Sequence, residues 1–170
     1  MAKYFNISGE STQQLLAPGA NVRVSKISLT NVQKVSRCKV DLYIEKTLTG
    51  KFYLLKSVEL PVGATLVYDN VSEFSTIDSE FGLYVKLTDG ATFTLTGSID
   101  PTASTTITGV NTLFLSEVSI GDEIVVSSET RTVSSIASNT SLTVSTATTD
   151  TSNDTSPDCN PTALVDIIID

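Results

Sequence analysis

The side chains able to do chemistry in this chain are almost all carboxylates. Its 170 residues hold 19 Asp or Glu, 11 Lys or Arg and no His, which excludes the commonest general base, most zinc sites and the histidine-dependent nucleophiles. Two acid pairs stand close enough in sequence to be weighed as general acid and base, Asp78 with Glu80 and Asp122 with Glu123, but adjacency along a chain is not cleft geometry. Asp150, Asp154 and Asp158 recur every four residues and could gather calcium. The glycine and closing Glu of a standard calcium loop are missing, so a solvated acidic loop is the simpler reading. Cys38 and Cys159 lack a partnering motif and read as two reduced, unrelated thiols unless neighbouring strands of one sheet bring them together. No glycine-rich phosphate loop is present, and the sequons at Asn6, Asn70, Asn139 and Asn153 have meaning only in a secreted chain. The expectation is no catalytic residue, no cofactor and no metal.

The elements that would have to position these groups read as strands. The chain is 40% hydrophobic and only 18% charged, rich in Ser and Thr, with no window of apolar residues at helical spacing for three turns. The best helical candidate, residues 11–17, is stopped by Pro18-Gly19. From Asn21 the period is two. Val22 and Val24, then Ile27 and Leu29, form one apolar series, with an irregularity expected at Ser25-Lys26. Val40, Leu42 and Ile44 repeat the alternation, Thr49-Gly50 turns the chain, and Leu54 and Val58 resume it. Pro61 and Gly63 then break the ladder, because Pro lacks a donor and Gly permits positive φ.

A second pattern starts near Thr92. Gly109 and Gly121-Asp122 read as turns, Ser128-Glu129 as another, and Phe114, Ile124, Val133, Ile136 and Leu142 as the core of a small barrel whose interior Phe114 plugs. Residues 147–159 read as a polar connector. Val165, Ile167 and Ile169 on one face, with Leu164 and Ile168 beside Asp166 on the other, make a final strand that expects cover on both sides. Burial of each large apolar side chain contributes about 1.5–3 kcal/mol, so this strand should return to the leading domain. The expected fold is all-β, an antiparallel sandwich of jelly-roll or immunoglobulin-like topology (residues 1–91 and 160–170) interrupted by the small barrel (92–146).

Charge divides along the same line. Residues 1–90 carry ten Lys or Arg against nine acids, whereas residues 91–170 carry only Arg131 against ten. With one mild basic cluster, Lys34 to Lys39, the chain lacks the footprint of a nucleic-acid binder. No apolar run reaches the ~20 residues of a membrane span, and Met1 to Tyr4 run into a strand without a signal-like segment, so a chain that stays soluble in the cytoplasm is expected.

Residues 27–31, 40–44 and 52–67, with V-D-L-Y followed by L-K-S-V-E-L-P-V-G-A-T-L, resemble small virion structural proteins of tailed bacteriophages, especially marine and cyanobacterial ones. The second region resembles a module found in several phage virion proteins. It has Thr106, Gly109, Thr112 and Phe114, then Gly121, Asp122 and Ile124, then Val133, Ile136, Ser138, Thr140, Ser141 and Leu142, with Ile107 where Val is more usual. The resemblance implies a non-enzymatic particle component present in many copies, in the virion and, during assembly, in the host cytoplasm. It would bind other virion proteins or further copies of itself. A head decoration protein is the first expectation, with the sandwich docked and the acidic barrel projecting. A neck, tail or baseplate component comes second, and an adhesive or carbohydrate-binding fibre module third. The exposed face of residues 40–45 and the loop 69–80 are the candidate contact regions.

Overall fold

A computed structural model describes residues 1–46, 48–69, 74–76 and 80–170, with Phe74 and Ser75 in backbone only. Asn70, Asp78 and most of the loop 69–80 lie outside the described residues. The chain forms two compact units, one of residues 1–33, 37–89 and 163–170, the other of residues 34–36 and 90–162. No helix among the described residues is long and apolar enough to cross a membrane.

The first unit contains β1 (Lys3–Ser8), β2 (Thr12–Leu16), β3 (Arg23–Val24), β4 (Ile27–Asn31), β5 (Cys38–Lys46), β6 (Gly50–Leu60), β7 (Thr65–Tyr68), β8 (Phe74–Ser75) and β9 (Gly82–Thr88). The second contains β10 (Phe93–Thr94), β11 (Ser98–Asp100), β12 (Thr106–Val110), a one-turn helix α1 (Phe114–Glu117), β13 (Glu123–Val126), β14 (Glu129–Ser138), β15 (Ser141–Val144) and β16 (Asp158–Asn160). The last strand, β17 (Leu164–Ile169), belongs to the first unit.

Eight strands of the first unit make two antiparallel sheets, in the orders β1-β17-β4-β7 and β2-β9-β5-β6, beside a separate β3-β8 ribbon. Ile27, Leu29, Val165 and Ile167 from one sheet and Val40, Leu42, Leu83 and Val85 from the other share one buried core. The period-two pattern thus produces a sandwich. Outside the ribbon, every connection except β5 to β6 crosses between sheets, and β17 ends between β1 and β4. Of the two sandwich topologies expected, this is the jelly roll. Pro61 to Ala64 closes a tight turn through Ala64 N–H to Pro61 O at 3.1 Å, with Gly63 at φ 69°, a conformation that costs other residues about 1–2 kcal/mol.

The irregularity at Ser25-Lys26 is a change of partner. Both amides donate to the carbonyl of Asp170, so β3 leaves for β8 while β4 joins β17. Residues 12–16 form a strand despite their helix-forming Gln and Leu, because pairing with β9 buries Leu15 and Leu16. β17 is covered on one side only: Val165, Ile167 and Ile169 are buried, while Ile168 is 38% exposed.

In the second unit seven strands follow the order β10-β16-β13-β14-β15-β12-β11 around one core that includes Ile107, Phe114, Ile124, Val133 and Leu142. The two end strands are successive pieces of residues 93–100. Leu95 N–H donates to Pro157 O at 2.8 Å, and Ile99 and Asp154 exchange backbone bonds at 2.8 Å. The expected connector 147–159 is therefore built in: Asp158–Asn160 is a strand, and Thr148, Pro157 and Cys159 are buried. Its polar composition hid this, because only one of its faces needs apolar atoms. The β13–β14 hairpin turns at Ser127-Ser128, both with positive φ, one residue before the expected place.

Gly109 lies within β12 and does not form a turn. Its role is spatial, since a Cβ there would stand 2.2 Å from Thr112 Oγ1, a buried hydroxyl that donates to Asn139 O at 2.6 Å. Gly109→Ala is expected to destabilise the second unit by about 1–3 kcal/mol through overpacking, seen as loss of hydrogen-exchange protection at Ile107 and Leu142 while Leu29 and Ile167 keep theirs.

Candidate interaction surfaces

The outer face of the second sheet gathers three tyrosines that the sequence scatters. In-register pairing sets Gln14 opposite Tyr84, Tyr84 opposite Tyr43 and Tyr43 opposite Tyr53, so one row crosses four strands. The Tyr43 and Tyr84 rings stack with centroids 5.6 Å apart and planes at 10°, and Tyr53 leans on Tyr43 at 5.4 Å. Lys51 Nζ stands 4.5 Å over the Tyr43 ring and Lys56 Nζ 4.4 Å over Tyr53, each a cation–π contact. Gln14 Nε2 donates to the Tyr84 hydroxyl at 2.7 Å. Tyr43 is only 1% exposed although it points away from the sandwich core. The rings face each other and the ammonium groups, so they do not offer the flat, open surface on which a sugar stacks.

Asp41 anchors the same face. It accepts from Lys56 Nζ at 2.7 Å and from Ser57 N–H at 2.6 Å. Burial opposes its ionisation, but the bonds from Lys56 and Ser57 outweigh that and hold its carboxyl below the ordinary value. The bond to Asp41 raises Lys56, and the bond to the Tyr43 hydroxyl raises Lys51. The Tyr43–Tyr53 pair was within reach of the sequence, since both flank the Thr49-Gly50 turn. Two irregularities in the β5–β6 register, between Val40 and Leu42 and between Leu42 and Tyr43, obscure the spacing.

The outer face of the first sheet is arranged in rows. Tyr4, Ile168, Ser28 and Val67 lie opposite one another across its four strands, with Tyr4 73% and Val67 50% exposed. The next outward row is polar: Asn6 Nδ2 donates to Asp166 at 2.6 Å, and the Thr30 and Thr65 hydroxyls share a bond at 2.9 Å. A shallow groove of about 370 Å³, lined by Tyr4 to Asn6 and Asp166 to Ile168, runs beside β1.

The acids singled out by spacing do other work. Asp122 is fully buried and accepts from Ser119 N–H at 2.8 Å and Thr162 N–H at 3.0 Å, while Glu123 is exposed. Gly121, at φ 93°, makes the turn that brings Asp122 back to Ser119. Asp150 accepts from Ser152 N–H, Asp154 from Ser127 and Ser156 N–H, and Asp158 from the Thr94 hydroxyl. Asp154 and Asp158 also border an open polar hollow of about 380 Å³. Among the described residues no three His, Cys, Asp or Glu side chains group as metal ligands. Glu80 pairs with Lys46. Cys38 and Cys159 are buried and free, one in each unit. Burial, reinforced by Asp89, pushes the Cys38 thiol to about 11, and burial with Asp122 pushes Cys159 to about 12.

Of the expected core residues, Val40, Leu42, Phe114, Ile124, Val133, Leu142, Val165, Ile167 and Ile169 are buried, while Ile44, Leu54, Val58 and Ile136 are half-buried.

Glu129, which spacing did not single out, ties residues 147–150 to the β13–β14 hairpin. Its carboxylate accepts from the Thr149 hydroxyl, from Thr149 N–H at 3.0 Å and from Asp150 N–H at 2.8 Å, with Arg131 beside it. The Thr149 bonds lead in lowering its pKa to about 2 from 4.5. A depressed folded-state pKa means stability present above about pH 4.5 and lost as the pH falls toward 2. The second unit is expected to loosen in that window, read from the Thr149 and Asp150 amide signals. Glu129→Gln should flatten the pH dependence there and lower stability at neutral pH.

Compared with known proteins, the chain matches no protein-family model and no curated protein.

Proposed function

We propose that this protein is a non-enzymatic structural component of a tailed-bacteriophage virion, a decoration or accessory protein of the head that binds other capsid proteins. The observation that carries the reading is the jelly roll with its outward row of Tyr4, Ile168, Ser28 and Val67, apolar and exposed at three of its four places. Jelly rolls recur in viral capsid domains and in lectins, but a fold alone does not assign function, so the weight rests on a stiff sandwich with contact-ready faces. Such a module adds interface area, and repetition makes weak contacts durable. The resemblance of residues 27–31, 40–44 and 52–67, and of the motif between Thr106 and Leu142, to phage virion proteins supports the same reading.

A neck, tail or baseplate position is the second reading, favoured by the two regular strand edges of the first sheet. The adhesive reading gains from the clustering of three tyrosines and loses because their faces are taken. Quantitative mass spectrometry of purified particles is the test. On the order of hundreds of copies supports the head, and a few dozen or fewer supports the tail. Absence of the chain from purified particles sinks the proposal.

A further inference from the structure

We infer that the first sheet is a joint between copies of this chain, with β7 of one molecule adding in antiparallel register to β1 of the next. The four strands β1, β17, β4 and β7 alternate in direction, so the two edges of the sheet run opposite ways. A second molecule laid alongside without being inverted therefore brings β1 antiparallel to β7, continuing the antiparallel pattern of the sheet. Among the described residues neither edge has a second strand partner.

The other sheet's edges are made unfit for this. β6 carries two irregularities in its register, near residues 54 and 57, with Lys51 and Lys56 beside them, and β2 carries one at Leu15. Bulges and lysines are the usual means of blunting an edge. β1 and β7 pair with their neighbours without a shift.

The rows then match across the joint. Each row of the sheet ends in β1 on one side and β7 on the other, so its two end residues become opposite partners between copies. Tyr4 meets Val67, an aromatic against a β-branched residue. Phe5 meets Leu66, both half-buried now, and Asn6 meets Thr65, polar on polar. Such opposite pairs each contribute about 0.2–1 kcal/mol. The fourth rung sets Lys3 opposite Tyr68. Four rungs fall well short of the roughly 20–30 residues a side of a standard stable interface. The joint is therefore weak between two free molecules and durable where many copies repeat it. It deepens the multicopy reading above and rests on that reading for its repetition, but it is tested on purified chain alone.

The test is cross-linking of the variant carrying both Tyr4→Cys and Val67→Cys with a short bismaleimide at about 1 mM, the range in which weak joints populate. Within one molecule the two positions are three strand spacings apart, about 14 Å, beyond a short linker. The buried Cys38 and Cys159 stay unmodified in a wild-type control. A ladder of dimer, trimer and longer species, with each single variant remaining monomeric, is the expected result. Monomer alone, or single variants that dimerise as well as the double one, overturns the joint. Because both positions are exposed, folding should survive, and wild type supplies a second reading free of that concern. Its mass by sedimentation should rise with concentration while Val67→Lys stays monomeric. A wild-type mass that does not rise at about 1 mM overturns the joint even if particle counts support a virion role.

Discussion

Removing residues 164–169 is expected to leave residues 1–89 unfolded, whereas removing residues 90–162 is expected to leave a folded jelly roll. β17 is an inner strand, bonded to β1 on one side and β4 on the other, and it buries Val165, Ile167 and Ile169. At about 1.5–3 kcal/mol each, those three side chains alone approach the ~5–15 kcal/mol that holds a domain together. Two orphaned strand edges add to the loss. The opposite deletion leaves the core of the first unit intact. Ala163 N–H already donates to the Asp89 carboxylate at 2.6 Å, so a two- or three-residue linker rejoins the chain. Circular dichroism and hydrogen exchange at Leu29 and Val85 decide both cases. A folded product without β17, or an unfolded one without residues 90–162, contradicts the division into two cores.

Asp122→Ala is expected to unfold the second unit selectively. The carboxylate is buried and satisfies the amides of Ser119 and Thr162, and each buried donor left without an acceptor costs about 1–3 kcal/mol. Two orphaned donors alone amount to about 2–6 kcal/mol, and the void adds to that, enough to abolish a small domain. Asp122→Asn keeps the shape and one acceptor oxygen and should recover part of the loss. The readout is the denaturant midpoint for exchange of Ile124 and Val133, against that of Val40 and Ile167 in the other unit. Equal shifts in both sets would show that the two cores melt as one.

What the sequence disclosed follows from period-two burial. The alternation at residues 22–29 and 40–44 located strands, and the density of Val165, Ile167 and Ile169 demanded a sheet for the last one. Polar composition misled where burial is one-sided: Asp158–Asn160 is a strand paired with β10 and β13 in which only Cys159 is fully buried. Gly109 looked like a turn because a glycine that avoids a hydroxyl and one that bends a chain are the same letter. The two outer faces needed strand order and register, which no local pattern contains. Tyr84 comes beside Tyr43 only because β9 lies against β5, forty residues away in sequence.

All five tyrosines, Tyr4, Tyr43, Tyr53, Tyr68 and Tyr84, belong to the first unit, and the chain has no Trp. Tyrosine absorption and emission therefore watch one half of the molecule, while the other half offers only the weaker phenylalanine signals of Phe93 and Phe114. A single clean tyrosine melting curve would not be evidence of a single cooperative transition, whereas far-ultraviolet dichroism or calorimetry, which register the whole chain, would report the other half as well.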